Sequence, residues 1–251
     1  LTLLVLLSVF GLFGNASQAA PAASAGTRVE DLAHVVLETP IGVPPAAGQR
    51  EAAFGCGCFW GAEKGFWRLP GVVTTAVGYA GGTLAAPSYE QVCSGRSGHA
   101  EIVRVVWDDS RLHFSDLLKL FWECHDPTQG DRQGNDRGSQ YRSAIFVDDP
   151  ALIAEAEVSR HAYGAQLQQA GYGAITTEIG RGQRFHYAEP YHQQYLAKPG
   201  SRPYCSAQPS GLRLESYPGA DFLLPPAVWN AYDWSISHCV LRSDNTPIVL
   251  S

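Results

Sequence analysis

Methionine is absent from all 251 residues, position 1 included, which predicts that the chain begins inside its open reading frame. Cysteine is scarce: Cys56, Cys58, Cys93, Cys124, Cys205 and Cys239 are the six. No two of them form a C-x-x-C pair, which excludes a zinc ribbon or a thioredoxin-type motif, and six is too few for a disulfide scaffold of this length. Charge is sparse as well, at 17%, with 18 Lys and Arg against 24 Asp and Glu and a net charge of −6. The charges form no basic stripe, so a nucleic-acid partner is not expected, and the acidic balance speaks to solubility. No internal repeat is found. What remains, 45% hydrophobic and 11% aromatic residues, is globular in kind and excludes disorder, collagen and coiled coil. The length suits one large domain or a domain with appendages.

Residues 1–14 read LTLLVLLSVFGLFG, uncharged, apolar and shorter than the roughly 18 residues of a membrane span. Ser17-Gln18-Ala19 has the small-x-small form of a signal-peptidase site, so 1–19 is expected to be a signal peptide cut after Ala19. Its basic start is missing and no lipid-bearing Cys follows. Export, with a periplasmic destination, is therefore expected, and a cytoplasmic one if the segment is no signal. Residues 20–50, rich in Ala, Pro and Gly, read as a linker or loosely packed arm. From 51 to 205 strand and helix patterns interleave: strands at 52–57, 72–79, 102–107, 143–147 and 174–179, helices at 59–69, 114–124 and 150–169. Pro150 suits the first turn of the last of these. This alternation predicts an α/β or α+β sheet covered by helices. Residues 206–251, with several Pro and scattered aromatics, read as an irregular tail that wraps the domain.

The stretch Phe54-Gly55-Cys56-Gly57-Cys58-Phe59-Trp60-Gly61 ends a strand and opens a helix. Cys58 then sits at a helix N-terminus, where free N–H groups and the macrodipole favour a thiolate and lower the thiol pKa. Phe59 and Trp60 beside it would form an apolar wall for a substrate side chain. A small inert core Cys with ordinary aromatic packing accounts for the same residues.

Gly57-Cys58-Phe59-Trp60-Gly61 resembles the signature of the A-type peptide methionine sulfoxide reductases. The likeness continues through Tyr79-Ala80-Gly81-Gly82, Pro87 to Gly95, Gly98-His99-Ala100-Glu101, His125 to Gly130, Arg132 to Asp136, Gln140 to Ile145, Ala188-Glu189, His192 to Leu196 and Tyr204-Cys205. It spans about Ala52 to Cys205. It implies a two-layer sandwich with a ferredoxin-like core and reduction of the S epimer of methionine sulfoxide, free or in oxidised proteins, by a monomer without cofactor or metal. It further implies Cys58 as nucleophile and Glu101 as the acid, kept neutral by an apolar pocket. Tyr89 and Tyr141 would hold the sulfoxide oxygen, and Asp136 would orient a polar partner or water. Cys205 matches the recycling Cys, on a stretch expected to be mobile and exposed, and a thioredoxin-like dithiol would be the reductant.

Some family members carry a second tail Cys within a Gly-rich segment. Here Ser206 to Arg213 has none before Cys239, so a single recycling Cys is expected. Cys56, Cys93 and Cys124 are read as structural, and His99, His125 and His192 as makers of structural hydrogen bonds, none at metal-ligand spacing with another. Two rival functions fit part of the pattern: a Cys–His hydrolase using Cys58, which has no need of Cys205, and an exported non-catalytic protein binding a hydrophobic side chain at Phe59 and Trp60.

Overall fold

The computed structural model describes residues 28–250. The expected signal peptide over 1–19 and the start of the arm lie outside the described residues. Among these, no helix is long and apolar enough to cross a membrane.

Six strands form a mixed sheet: β1 (Gln49–Cys56), β2 (Val72–Ala80), β3 (Ala100–Asp108), β6 (Ser143–Val147), β7 (Glu178–Arg181) and β8 (His186–Tyr187), in the order β7-β6-β1-β3-β2-β8. All neighbours are antiparallel except β6 and β7, whose parallel pairing requires a crossover, supplied by α4 (Pro150–Gln169). Asp149 caps α4, its carboxylate accepting from the Ala151 N–H at 2.8 Å. The two-residue strands β4 (Arg132–Gln133) and β5 (Asp136–Arg137) form a separate hairpin, and a short helix, α2 (Tyr89–Cys93), lies between β2 and β3 in the chain.

Side-chain alternation along the strands sorts the two faces. Phe54 and Cys56 of β1, Val103, Val105 and Trp107 of β3, and Ile145 and Val147 of β6 join Phe59 and Phe66 of α1 (Phe59–Trp67) and Leu117, Leu118 and Phe121 of α3 (Phe114–Glu123) in one core. The opposite face carries a small cluster, Ala80, Ala100, Ile102, Ala144 and Phe146, flanked by Phe185. By the same alternation Glu101 points to the helix side, toward the start of α1.

Two expectations change. The strand expected over 174–179 begins only at Glu178, because Thr176 is spent on a loop: its N–H and its hydroxyl both donate to Pro127 O, at 2.9 and 3.0 Å. The described part of the arm is not loose. Ile41 and His34 are buried, Thr39 Oγ1 donates to Val73 O, and Arg104 donates to the carbonyls of Ile41 and Val43. The tail has one short helix, α5 (Pro226–Trp229), and buries Leu214, Tyr217, Leu224, Val228, Tyr232 and Trp234 in the main core. Lys64, Trp67 and Arg68 of the α1 region donate to carbonyls of Ser243, Asn245 and Thr246, fastening the chain end across α1.

Candidate active site

Between β1 and α1 the chain turns through Gly57, at φ +88. A Cβ there would lie 2.6 Å from that of Gln133, so the turn needs glycine for both conformation and space. The turn makes Cys58 the N-cap of α1. Two N–H groups of the helix start act on acidic partners: that of Phe59 donates to Glu101 Oε2 at 3.1 Å, and that of Trp60 favours the anionic form of the Cys58 sulfur. One helix terminus therefore serves two groups able to become anions.

Cys58, Phe59, Trp60, Tyr89, Glu101, Asp136 and Tyr141, all singled out from the sequence, line one cleft of about 420 Å³. Cys205 does not. It lies behind α1, where Gly61 leaves room for it; a Cβ at Gly61 would overlap Cys205 Sγ. Far from being exposed, Cys205 is only 5% accessible, and burial pushes its thiol up to about 12. The preceding residues 202–204 are exposed as expected. What holds the sulfur inward is the clamp on either side of it. The Tyr204 hydroxyl donates to Asp136 Oδ1 at 2.5 Å, and the Gln208 N–H donates to Gln133 Oε1 at 3.1 Å.

The expected lowering of the Cys58 pKa is reversed. Cys58 is 8% accessible, and burial raises its thiol well above the ordinary range, with further upward pressure from Glu101; the Trp60 N–H opposes this without overcoming it. Desolvation of a largely buried sulfur outweighs a helix terminus. Burial likewise raises Glu101, to about 8, against the opposing Phe59 N–H, so at neutral pH Glu101 is a proton donor. Tyr89 and Tyr141 are raised by burial and keep their hydroxyl protons. Asp136 Oδ2 is buried without a partner.

The aromatic wall has its own supports, among them the structural hydrogen bond expected of His192. Trp60 stacks on Tyr195 with centroids 3.9 Å apart, and its Nε1–H donates to His192 Nδ1 at 3.1 Å. Burial lowers His192 to about 4, so the ring is a neutral acceptor at that nitrogen. Glu189 aligns Tyr89, accepting from the Tyr89 N–H and the Tyr79 hydroxyl at 3.0 and 2.9 Å. Tyr195, Arg202 and Tyr204 complete the cleft. Aromatic repetition in Tyr191-His192-Gln193-Gln194-Tyr195 was the available signal for Tyr195; Arg202 gave none.

Of the other histidines, His125 bonds Phe121 O and Ser143 Oγ, each at 2.8 Å, whereas His99 Nδ1 has no partner. Among the described residues no His nitrogen bonds Cys58, which leaves a Cys–His hydrolase without its base. Cys93 is exposed. Outside the cleft, ligand atoms of Cys56, Cys124 and His125 lie within 4.8 Å of one another, a cluster hidden from a spacing search because β1 and α3 supply it together.

Residues 50–216 match the family model described as peptide methionine sulfoxide reductase. A peptide methionine sulfoxide reductase MsrA of Salinispora arenicola is 54% identical over 201 residues, covering 79% of this chain and 90% of its own. One from Azotobacter vinelandii is 57% identical over 183 residues, covering 72% and 84%. Among solved structures, methionine sulfoxide reductase A of Corynebacterium diphtheriae is 44% identical with a TM-score of 0.65, covering 72% of this chain and 87% of that one. Reduced Mxr1 of Saccharomyces cerevisiae is 30% identical with a TM-score of 0.57, covering 65% and 92%. With two thirds of its length matched by the family model and more than half of the aligned residues identical to relatives that it covers to four fifths or more, the chain belongs to the peptide methionine sulfoxide reductase family.

Proposed function

We propose that this chain reduces the S epimer of methionine sulfoxide to methionine, with Cys58 as nucleophile and Glu101 as proton donor. The observation that carries the assignment is the pairing of the Cys58 sulfur and a neutral Glu101 carboxyl at one buried helix start. A sulfoxide whose methyl thioether lies against Phe59 and Trp60 would bring its sulfur to Cys58 and its oxygen to Glu101, Tyr89 and Tyr141. As the Cys58 sulfur attacks, Glu101 protonates the oxygen and later recovers the proton that the thiol gives up. The oxygen passes from substrate sulfur to Cys58 sulfur. Methionine leaves reduced by two electrons, and Cys58 is left as a sulfenic acid.

Cys205 then attacks the Cys58 sulfur, expelling the hydroxyl as water and forming a disulfide. A thioredoxin-like dithiol reduces that disulfide by exchange. Asp136, whose carboxylate holds Tyr204, acts in this reading as the anchor of the recycling segment. The test is a count of products without reductant. Cys205→Ser should yield one methionine per enzyme and stop, and wild type should end with neither Cys58 nor Cys205 as free thiol. Normal turnover by Cys58→Ser would overturn the assignment.

Export follows from the reading of 1–19 and is checked by the N-terminal mass of the protein recovered from periplasm. A mature chain beginning at Ala20 supports it, and an intact chain confined to cytoplasm refutes it.

A further inference from the structure

The cleft grades from closed to open. Cys58, Phe59 and Glu101 are buried, whereas Arg202 and Tyr204 are exposed and form its mouth. A thioether drawn in against Phe59 and Trp60 to reach Cys58 therefore leaves the backbone of its residue at the mouth. Of the described residues that line the cleft, Arg202 alone is a cation. The two carboxyls beside it are otherwise engaged. Burial keeps Glu101 neutral, and Asp136 accepts from the Tyr204 hydroxyl.

Arg202 is fastened to the substrate wall. Its N–H donates to the Tyr195 hydroxyl at 3.1 Å, and Tyr195 stacks on Trp60 with centroids 3.9 Å apart. Before it, Ser201 Oγ donates to Lys198 O at 2.9 Å. After it, Pro203 restricts Arg202 to extended backbone, and Tyr204 is held by Asp136. Lys198, the other cation of this segment, is spent elsewhere: it is half-buried and its Nζ donates to Pro190 O at 2.6 Å. Among the described residues no hydrogen bond or ion pair engages the Arg202 guanidinium; its one contact of that kind is through the backbone. A fixed backbone thus presents an open fork of N–H donors at the cleft mouth.

We propose that Arg202 makes this chain selective for methionine sulfoxide that presents a carboxylate at the cleft mouth. That carboxylate is either the residue's own, in free or C-terminal methionine sulfoxide, or the side chain of a neighbouring Asp or Glu. The inference rests on the reductase reading of the cleft. A planar guanidinium matches a carboxylate through two parallel N–H donations, which no other residue of the mouth can offer. The contact lies away from the reacting atoms and is equal before and during the chemical step, so the preference belongs to KM and leaves kcat alone. Asp136 sets the sign of what is left without Arg202. The remaining fixed charge of the lining is then negative, and a substrate carboxylate is repelled.

The experiment gives the full chain two matched pairs of substrates. N-acetylmethionine sulfoxide against its N-methylamide reads the main-chain carboxylate; otherwise identical short peptides with Glu or Gln after the sulfoxide read the side chain. At low salt, wild type should favour the carboxylate member of at least one pair by about 3- to 10-fold in kcat/KM, carried by KM. The ratio should fall toward one at about 0.5 M salt. Arg202→Ala should bring it to one or below, Arg202→Lys should keep part of it, and Arg202→Glu should invert it. Dissociation constants on Cys58→Ser and Cys58→Ser/Arg202→Ala proteins read the same contrast without chemistry. Ratios of one in both pairs for wild type, or a preference that survives Arg202→Ala, would overturn the proposal. Absent turnover with the binding contrast intact would overturn the reductase reading and support Arg202 as the carboxylate ligand.

Discussion

Glu101→Gln separates what the acid contributes to chemistry from what it costs the fold. Burial holds the Glu101 carboxyl at about 8, against an ordinary 4.5. Below pH 4.5 both folded and unfolded chains keep the proton and the group is neutral in stability. As pH rises from there, the unfolded chain ionises freely while the folded chain cannot, so stability falls until the folded pKa is passed. At about 1.4 kcal/mol per unit, the loss is about 0.9 kcal/mol at pH 5 and about 4.4 kcal/mol at pH 8. Glutamine keeps an acceptor for the Phe59 N–H and has nothing to ionise. The stability advantage of Glu101→Gln over wild type should thus grow by about 3.5 kcal/mol between pH 5 and pH 8. Urea unfolding of both proteins at half-unit steps measures it. Glu63, also buried and raised to about 7, tilts both curves alike, so the difference isolates Glu101. Over the same range the variant should reduce sulfoxide about 10²- to 10⁴-fold more slowly. A stability difference that stays flat with pH would refute the assignment of a buried, protonated Glu101.

Gly61→Ala tests the seat of the recycling thiol. The new Cβ overlaps Cys205 Sγ and comes within 3.2 Å of its Cβ, which should cost about 1–3 kcal/mol of stability by overpacking. The first methionine per enzyme should form at near wild-type rate, while Cys58–Cys205 disulfide formation, followed by quenched thiol labelling, changes by at least about 10-fold. An unaltered disulfide rate would show that Cys205 does not react from this position. Trp60→Phe removes the 3.1 Å donation to His192 and leaves that buried acceptor unpaired, a loss of about 1–2 kcal/mol. Steady-state assays on a sulfoxide peptide should show KM raised about 5- to 30-fold, with kcat little changed.

The parts legible in the sequence were those set by local rules. Apolar alternation and helical spacing located β1, β2, β3, β6, α1, α3 and α4 to within a few residues, and α4 announced itself through Asp149 and Pro150. Motif order gathered the seven cleft residues. Tertiary placement was not legible. Nothing local distinguishes a thiol at a helix start that faces water from one that the folded chain buries, so the Cys58 shift is upward where the helix start alone predicts a lowering. Likewise Lys198-Pro199-Gly200-Ser201-Arg202-Pro203 has the composition of a mobile loop. Its far end is pinned by Asp136 and Gln133, contributed by a hairpin whose two-residue strands leave no periodic trace. Cys56, Cys124 and His125 meet for a similar reason: facing positions on a strand and a helix 68 residues apart share no pattern along the chain.

The shared helix start makes one further demand. Phe59 N–H and Trp60 N–H serve a carboxyl and a thiol respectively, and in a buried pocket two adjacent negative charges are prohibitive. The pair therefore titrates as a unit: once Glu101 gives up its proton near pH 8, the thiol of Cys58 is driven higher still. Thiolate chemistry accordingly depends on the carboxyl staying neutral, and the protonated acid that supplies the sulfoxide oxygen is the same species that tolerates the thiolate beside it. Glu101→Gln removes the like charge while leaving burial in place. The midpoint for alkylation of Cys58 by iodoacetamide should then move down relative to wild type, even as sulfoxide reduction slows. The rates are to be followed from pH 6 to 10 in a Cys93→Ser background, so that the exposed Cys93 does not contribute. A midpoint that stays in place would mean that the carboxyl and the thiol ionise independently, and that Glu101 acts on the substrate oxygen alone.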